Sequence, residues 1–221
     1  MFLFLKKSLR DLNESKGQFV SVLAVVLIGV MFYTGLYSAL EGLSGAGQRY
    51  FTEYRLGDLW STVYRAPEGA VERIGEISGV KMAEGRIVQD VRIFMDDRNA
   101  MVRLISLPDK KREIVNDIAM KSGSYFSSNA GNQCIVSEDF FKANHMVIGQ
   151  TIEPIVNGER VKLAVVGTAK SPEYTYEIRD ATEVFPDHEK FGVVYVKKSY
   201  LQTILDFRGS VNDISVLLDR D

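Results

Sequence analysis

The chain has 221 residues, of which 46% are hydrophobic and 25% are charged, and its formal net charge is −2. The near-neutral charge argues against nucleic acid as a partner, and the hydrophobic content excludes a disordered chain. The single cysteine, Cys134, excludes a disulfide framework, and we interpret it as a small buried strand residue.

Residues 19–40 form an uncharged apolar run, FVSVLAVVLIGVMFYTGLYSAL. As a helix that rises about 1.5 Å per residue, this run extends about 33 Å, which is enough for a hydrocarbon core of about 30 Å. A buried helix of a soluble protein and a cleaved signal peptide are the alternatives, but both usually have shorter apolar runs. The sequence therefore predicts a transmembrane helix over 19–40.

The two flanks of this run differ in charge. Residues 1–18 carry four basic side chains: Lys6, Lys7, Arg10 and Lys16. Because Lys and Arg are retained on the cytoplasmic side, we expect the N-terminus in the cytoplasm and everything after residue 41 outside the cell (plasma) membrane. Residues 1–18 also place leucines at helical spacing, which predicts an amphipathic segment on the lipid bilayer; an unstructured basic anchor is the alternative.

The helical period continues past the apolar run to about Leu56, so residues 41–56 are predicted to form a stalk helix. One face carries a stripe of small residues: Gly35, Ala39, Gly42 and Ala46. Small residues let two helices approach closely, and we expect another helix to pack there. Alternatively, the glycines only loosen the helix where it leaves the membrane.

From Gly57 the pattern changes to short strands and helices, which predicts an α+β chain with an extracytoplasmic mixed α/β domain over 57–221. Residues 110–170 are expected to be an inserted part, so that the domain has two small subdomains. Trp60 is predicted to lie in the core or at an interface of the first strand.

Local signals predict several elements of this domain. Alternating apolar residues favour a hairpin that turns at 96–99, and residues 109–120 favour a short helix. Ser137 is expected to cap the N-terminus of a helix that runs to about Asn144. Asn157-Gly158 predicts a type I′ hairpin turn, because both residues tolerate a positive φ.

Three stretches resemble the FtsX-like permeases of ABC transporters with the extracytoplasmic domain of MacB-type permeases. KKSLRDLNESKGQFVSVLAVVLIGVMFYTGL is similar to the N-terminal elbow and first membrane helix of that family. NQCIVSEDFFKANHMVIGQTIEPIVNGERVKLAVVGTAKSPEY is similar to its strand, helix and hairpin core, and FGVVYVKKSYLQ with VNDISVLL is similar to its closing strand, helix and strand. These motifs are turn and core residues, so they indicate the fold rather than a substrate.

The resemblance implies a permease subunit that couples ATP hydrolysis by a cytoplasmic ABC ATPase to motion of the outer domain. It also implies a second permease subunit and further membrane helices as partners, and the chain is expected to be the N-terminal part of such a permease. The sequence contains no G-x-x-x-x-G-K-[ST] phosphate loop, so ATP hydrolysis is not expected of this chain. The alternative function is a single-pass receptor or scaffold with an extracytoplasmic binding domain.

No catalytic, metal-binding or cofactor-binding residues are predicted. Asp187-His188-Glu189 is interpreted as a solvated turn, because adjacent residues seldom converge on one metal ion. The aromatic segment before it gives rigid amphipathic surface of the kind that interfaces use. We therefore expect a contact with a partner or substrate at Tyr174, Tyr176, Ile178 and Phe185, and the alternative is that these side chains pack in the core.

Overall fold

The computed structural model describes residues 16–95, 98–127, 130–179 and 182–219. The predicted amphipathic segment 1–18 lies almost wholly outside these residues, and so do the first two residues of the turn at 96–99. The described chain has an N-terminal apolar helix followed by a mixed α/β domain, as the sequence predicts. It divides into two compact units, residues 1–50 and 51–221.

Helix α1, Lys16–Glu53, is one uninterrupted helix that is long and apolar enough to cross a membrane. Its exposed hydroxyl side chains bond within the helix: Ser21 Oγ donates to the Gly17 carbonyl at 2.8 Å, and Thr34 Oγ1 donates to the Val30 carbonyl at 2.7 Å. Such bonds satisfy polar groups that a bilayer cannot solvate.

The second unit contains three further helices and, in its described parts, twelve strands. The helices are α2 (Glu68–Gly75), α3 (Glu138–Ala143) and α4 (Lys198–Ile204). The strands are β1 (Leu59–Pro67), β2 (Val80–Arg86), β3 (Val88–Met95), β4 (Arg98–Leu107), β5 (Ala119–Gly123), β6 (Gln133–Ser137), β7 (Thr151–Ile152), β8 (Pro154–Val156), β9 (Glu159–Arg160), β10 (Leu163–Lys170), β11 (Phe191–Lys197) and β12 (Ser210–Leu218).

These strands form two sheets. The smaller sheet is antiparallel in the order β1-β12-β2. The larger sheet has the order β5-β10-β6-β11-β4-β3-β8-β9, with β7 paired to β10. Its β10–β6 and β11–β4 pairs are parallel and the others are antiparallel. Strands from 110–170 therefore lie on both sides of a central group of three strands, β11, β4 and β3, that come from outside that range.

The larger sheet is covered on both faces, and β11 is buried along its whole length. One face packs Cys134 and Val136 against Phe140 of α3 and Leu201 of α4. The other face packs the intervening Ile135 in a second cluster, under the segment that precedes β5. Cys134 is fully buried as predicted, and this burial raises the pKa of its thiol.

Two turn predictions can be checked directly. Asn157 and Gly158 both have positive φ, at 51° and 84°, as a type I′ turn requires. Helix α3 begins after Ser137 as predicted, but the Ser137 hydroxyl makes no capping bond to it. The hydroxyl accepts a bond from the Val193 N–H at 3.1 Å, so it connects β6 to β11. It donates its own proton to Glu177.

Three other predictions need correction, in whole or in part. Residues 109–120 form no helix, because backbone N–H groups of Asn116 and Asp117 donate to carbonyls near the end of α1. The helix continues past the apolar run as predicted, but it ends at Glu53, shortly before the expected bound of about Leu56. Trp60 is 48% exposed and not in the core, because β1 is an edge strand whose apolar cluster lies on its other face. The alternative that Trp60 lies at an interface stays a prediction.

Candidate functional site

Helix α1 ends in a Schellman motif, in which a left-handed residue closes the last turn. Arg55 has φ +52° and donates its N–H to the Thr52 carbonyl at 3.2 Å, and Leu56 donates to the Phe51 carbonyl at 2.9 Å. All of these residues belong to the second compact unit. The end of the helix is therefore part of the α/β domain.

The segment 114–117 binds this helix end through backbone and side chain together. The N–H groups of Asn116 and Asp117 donate to the carbonyls of Arg55 and Tyr54, at 2.8 and 2.9 Å. In return, Arg55 donates from Nε to the Ile114 carbonyl at 3.0 Å and from Nη2 to Asp117 Oδ2 at 3.2 Å. These four bonds run in both directions, so neither segment can shift without breaking several of them.

Asn116 is the centre of this contact. It is buried, with φ +56°, and its Oδ1 accepts the N–H of Gly57 at 2.7 Å while its Nδ2 donates to Ser215 Oγ at 3.3 Å. A methyl group on Gly57 would lie 3.1 Å from Val115 Cγ1, so a larger residue fits poorly there. We call residues 54–57, 114–117 and 215 the helix-end joint.

The second candidate feature is the aromatic loop, residues 171–190, of which 180 and 181 lie outside the described residues. The structure separates the predicted contact residues. Tyr174 packs against the core, whereas Tyr176 and Phe185 are 52% and 80% exposed. Tyr176 donates its hydroxyl to the Val184 carbonyl, so it lies beside the exposed Val184-Phe185 pair, and Ile178 is partly buried.

Arg86, which is buried, holds the base of this loop. Its guanidinium donates to both carboxylate oxygens of Glu173 and from Nε and Nη2 to Asp213 Oδ1, at 2.8 and 2.6 Å. Burial alone would lower the pKa of Arg86, but the two carboxylates outweigh it and raise the pKa. The cluster connects β2 and β12 of the smaller sheet to the start of the loop.

A second arginine holds the loop from the larger sheet. Arg103 of β4 pairs with Asp90 of β3 through two bonds of 2.7 and 2.8 Å, and its Nη2 donates to the Arg179 carbonyl at 3.1 Å. Its guanidinium also lies 6.0 Å from the ring centre of Tyr174. Burial, and next to it the charge of Glu173, raise the pKa of Tyr174 to about 12.

The third anchor of the loop is a buried carboxyl group. Glu177 is 3% exposed, and its Oε2 accepts a bond from Ser137 Oγ at 2.9 Å. His188 Nδ1 lies 3.8 Å from the same oxygen and is buried without a hydrogen-bond partner. The turn at Asp187-His188-Glu189 is thus not wholly solvated as expected, because its histidine faces the interior.

The small-residue stripe lies on α1, where Gly35, Ala39, Gly42 and Ala46 are all exposed. A methyl group added at Gly35 or Gly42 would have no atom of the described chain within 4 Å. The packing of another helix on this stripe remains a prediction. Among the described residues, no group of three or more His, Cys, Asp and Glu side chains could hold a metal ion.

Sequence reasoning missed Arg55, Asn116, Arg86 and Glu177. Arg86 bonds to residues 87 and 127 positions away in the chain, and Asn116 bonds to residues 59 and 99 positions away. No local pattern marks such pairs. The one available signal was that charged residues stand within strongly apolar strand patterns, as Asp213 does in VNDISVLL.

No protein-family model and no curated protein matches the chain. It is similar to the extracellular domain of the noncanonic ABC-type transporter YknZ from Gram-positive bacteria, at 15% identity and a TM-score of 0.48, over 71% of this chain and 74% of that one. It is also similar to the periplasmic region of MacB from Actinobacillus actinomycetemcomitans, at 11% identity and a TM-score of 0.45, over 74% of this chain and 68% of that one.

A third similar structure is a domain of a protein described as a permease, from Porphyromonas gingivalis, at 13% identity and a TM-score of 0.45, over 72% of this chain and 64% of that one. The first of these structures is an extracellular domain, the second is a periplasmic region, and the third is a domain of a protein described as a permease. At 11 to 15% identity they concern the fold alone, and they indicate neither cargo nor partners.

Proposed function

We propose that this chain is part of an ABC transporter permease that couples ATP hydrolysis by a cytoplasmic partner ATPase to motion of its extracytoplasmic domain. The observation that carries this proposal is the helix-end joint, which binds the end of the apolar helix to the α/β domain. A domain that only binds a ligand outside the cell has no need of such a rigid attachment. A domain that is moved by its helix depends on one.

The proposed orientation has the N-terminus in the cytoplasm, since the basic residues precede the apolar run. Helix α1, Lys16–Glu53, has 38 residues, and at 1.5 Å per residue it is about 57 Å long, against about 30 Å for the hydrocarbon core. Part of the helix therefore extends beyond the bilayer. A displacement of the membrane-embedded part is carried to Glu53 because a continuous helix is stiff along its axis.

The proposed partners are a cytoplasmic ABC ATPase, the lipid bilayer, and a second permease subunit or further membrane helices. The exposed side chains of Tyr176 and Phe185, together with Val184, are the proposed contact with a partner or substrate outside the membrane. They form a surface of large apolar groups beside a loop base that three polar clusters hold in place.

The coupling is tested by Arg55→Gly in the native permease, purified with its ATPase in nanodiscs. Glycine keeps the left-handed conformation of the Schellman motif but removes the side-chain bonds to Ile114 and Asp117. We expect ATP hydrolysis to continue while movement of the outer domain is lost or strongly reduced. Movement is measured as the change in distance between spin labels at Lys121→Cys in two subunits, between nucleotide-free and vanadate-trapped states.

The matched control for this experiment is Arg65→Ala, which removes guanidinium bonds to Ser210 and Asp206 within the domain but lies outside the joint. It should keep the full distance change. The native Cys134 is buried and its thiol pKa is raised, so the label reacts with the introduced cysteine. If the unaltered protein associates with no ATPase, or if its outer domain stays still, the permease proposal is wrong and the receptor or scaffold function takes its place.

The small-residue stripe gives a separate prediction. Leucine at both Gly35 and Ala39 holds a neighbouring helix away from α1, so we expect cross-linking between membrane helices to fall about tenfold or more, since close approach depends on small side chains. The control is Val26→Leu with Val30→Leu, which places two leucines on the opposite face of the helix. Assembly that survives the Gly35 and Ala39 changes would show that the stripe is not a packing surface.

A further inference from the structure

The Glu177 carboxyl group occupies a poor environment for a negative charge. It is almost fully buried, and among the described residues its hydrogen-bond donor is a single hydroxyl, that of Ser137 at 2.9 Å. A buried carboxylate normally needs several donors or a cation in contact. The Nδ1 atom of His188 lies 3.8 Å from Glu177 Oε2 and has no hydrogen-bond partner of its own.

The charges around this pair come from the elements that pack against it. Helix α3 contributes Asp139 and Glu138, and the end of β10 contributes Lys170, which bonds to Asp139 at 3.0 Å and lies 3.8 Å from Glu138. Strand β11 contributes the fully buried hydroxyl of Tyr195. The single lysine is thus already engaged by two acidic side chains, and it leaves Glu177 without a dedicated counter-ion.

Burial raises the pKa of Glu177 to about 7, with Asp139 adding to the effect, while the Ser137 bond and Lys170 oppose it. The group therefore binds a proton near neutral pH when the loop is in place. In the opened loop, exposed to water, its pKa returns to about 4.5. Between about pH 4.5 and about pH 7 the closed loop binds more protons than the open loop. The closed loop is therefore favoured at low pH and becomes progressively less favoured as the pH rises from about 4.5 to about 7.

Protonation also supplies the bond that the pair lacks. A neutral Glu177 has an O–H group that can donate to Nδ1 of His188 when the imidazole carries its own proton on Nε2. A shift of about 1 Å brings the two atoms from 3.8 Å to hydrogen-bond distance. The backbone of His188 is already fixed, since its carbonyl accepts a bond from Asn144 Nδ2 at 3.1 Å.

We propose that a proton on the Glu177 carboxyl group, which bonds to Ser137 at the end of β6 and faces His188, latches the aromatic loop against the larger sheet, and that loss of this proton releases the loop. The latch joins the first half of the loop, which carries Glu177, to its second half, which carries His188. The exposed Val184-Phe185 pair lies between them. The inference rests on the proposed function in one respect, that the Val184-Phe185 pair is the contact with a partner. The latch would then make the position of this pair depend on the extracytoplasmic pH.

The test is hydrogen–deuterium exchange of the full chain in nanodiscs, read by mass spectrometry on peptides from 171–190 at several pH values from 5 to 8. Glu177→Gln cannot ionise, so the ratio of wild-type to variant exchange at each pH cancels the intrinsic pH dependence of the chemistry. We expect this ratio to rise with pH, by roughly 50-fold between pH 5 and pH 8, from the two pKa values of the group. The matched control is Glu189→Gln, an exposed carboxyl in the same loop.

The control should exchange as the wild type does at every pH. If the ratio of wild-type to Glu177→Gln exchange stays constant from pH 5 to pH 8, both proteins respond equally to pH, and this result would overturn the latch. His188→Ala provides a second check, since it leaves the carboxyl group in place but removes the ring nitrogen that faces it, and it should loosen the loop. None of these exchange measurements requires an ATPase. The exchange experiment therefore tests the latch, and the spin-label experiment tests the permease proposal, each independently of the other.

Discussion

Replacing Arg86 with methionine is expected to cost about 3 to 5 kcal/mol of unfolding free energy, the usual loss when one partner of a buried ion cluster is removed. Methionine fills a similar volume, so the loss comes from charge rather than from a cavity. Glu173 and Asp213, whose side chains are 16% and 12% exposed, would be left without their shared guanidinium. In a domain of this size we expect the melting temperature to fall by roughly 6 to 20 °C, at about 2 to 4 °C per kcal/mol.

A second variant shows whether the stability is lost through charge or through packing. In the triple variant Arg86→Met, Glu173→Gln and Asp213→Asn, no buried charge remains, and most of the lost stability should return, because neutral replacements of buried ion clusters are often tolerated. Arg160→Met is the surface control: this arginine lies 3.7 Å from Glu153 and both side chains are solvated, so its loss should stay within about 1 kcal/mol. Thermal unfolding followed by circular dichroism gives all three values.

A single Arg86→Met protein that melts like the wild type would mean that water reaches the two carboxylates and that the cluster adds little. The same experiment bears on the aromatic loop. Arg86 is the contact that fixes Glu173, at the start of the loop, to the smaller sheet. We therefore expect faster hydrogen exchange near residue 173 in the single variant. The triple variant should not return to the wild-type rate, because it still lacks the arginine.

The parts of the fold that sequence could predict are those set by local chemistry. The apolar run 19–40, the positive-φ pair Asn157-Gly158 and the boundary at Ser137 follow from solvation, backbone sterics and capping preference within a few residues. The MacB-like arrangement was predicted from motifs of the same kind, turn and core residues whose spacing reflects the topology.

The residues of the two candidate features could not be predicted, because each depends on contacts between distant segments. Residues 109–120 have the apolar spacing of a helix, yet their backbone donors bond to the end of α1 instead, and tertiary contacts override the local preference. The aromatic loop shows the same limit: Tyr174 and Phe185 look alike in sequence, but one packs in the core and the other is exposed. Tyr174 packs against residues of the larger sheet, which lie far from it in the sequence, and Arg103 of β4 lies 6.0 Å from its ring centre.

Asn116 carries the second large effect, in the helix-end joint. Asn116→Ala removes the acceptor of the buried Gly57 N–H and the donor to Ser215 Oγ, which should cost about 1 to 3 kcal/mol. Alanine is also unfavourable at φ +56°, where the left-handed conformation adds about 1 to 2 kcal/mol. We expect the total to lie at about 2 to 5 kcal/mol, measured by thermal or denaturant unfolding of the full chain.

Two variants divide this cost into its parts. Asn116→Gly removes the same side-chain bonds but tolerates the backbone conformation, so it should be about 1 kcal/mol more stable than the alanine variant. Asn157→Ala, at φ +51° in an exposed turn, measures the cost of the left-handed conformation with little buried hydrogen bonding. If Asn116→Ala costs no more than Asn157→Ala, the buried amide does not hold the joint, and the attachment on which the coupling depends must lie in the other bonds between residues 54–55 and 114–117.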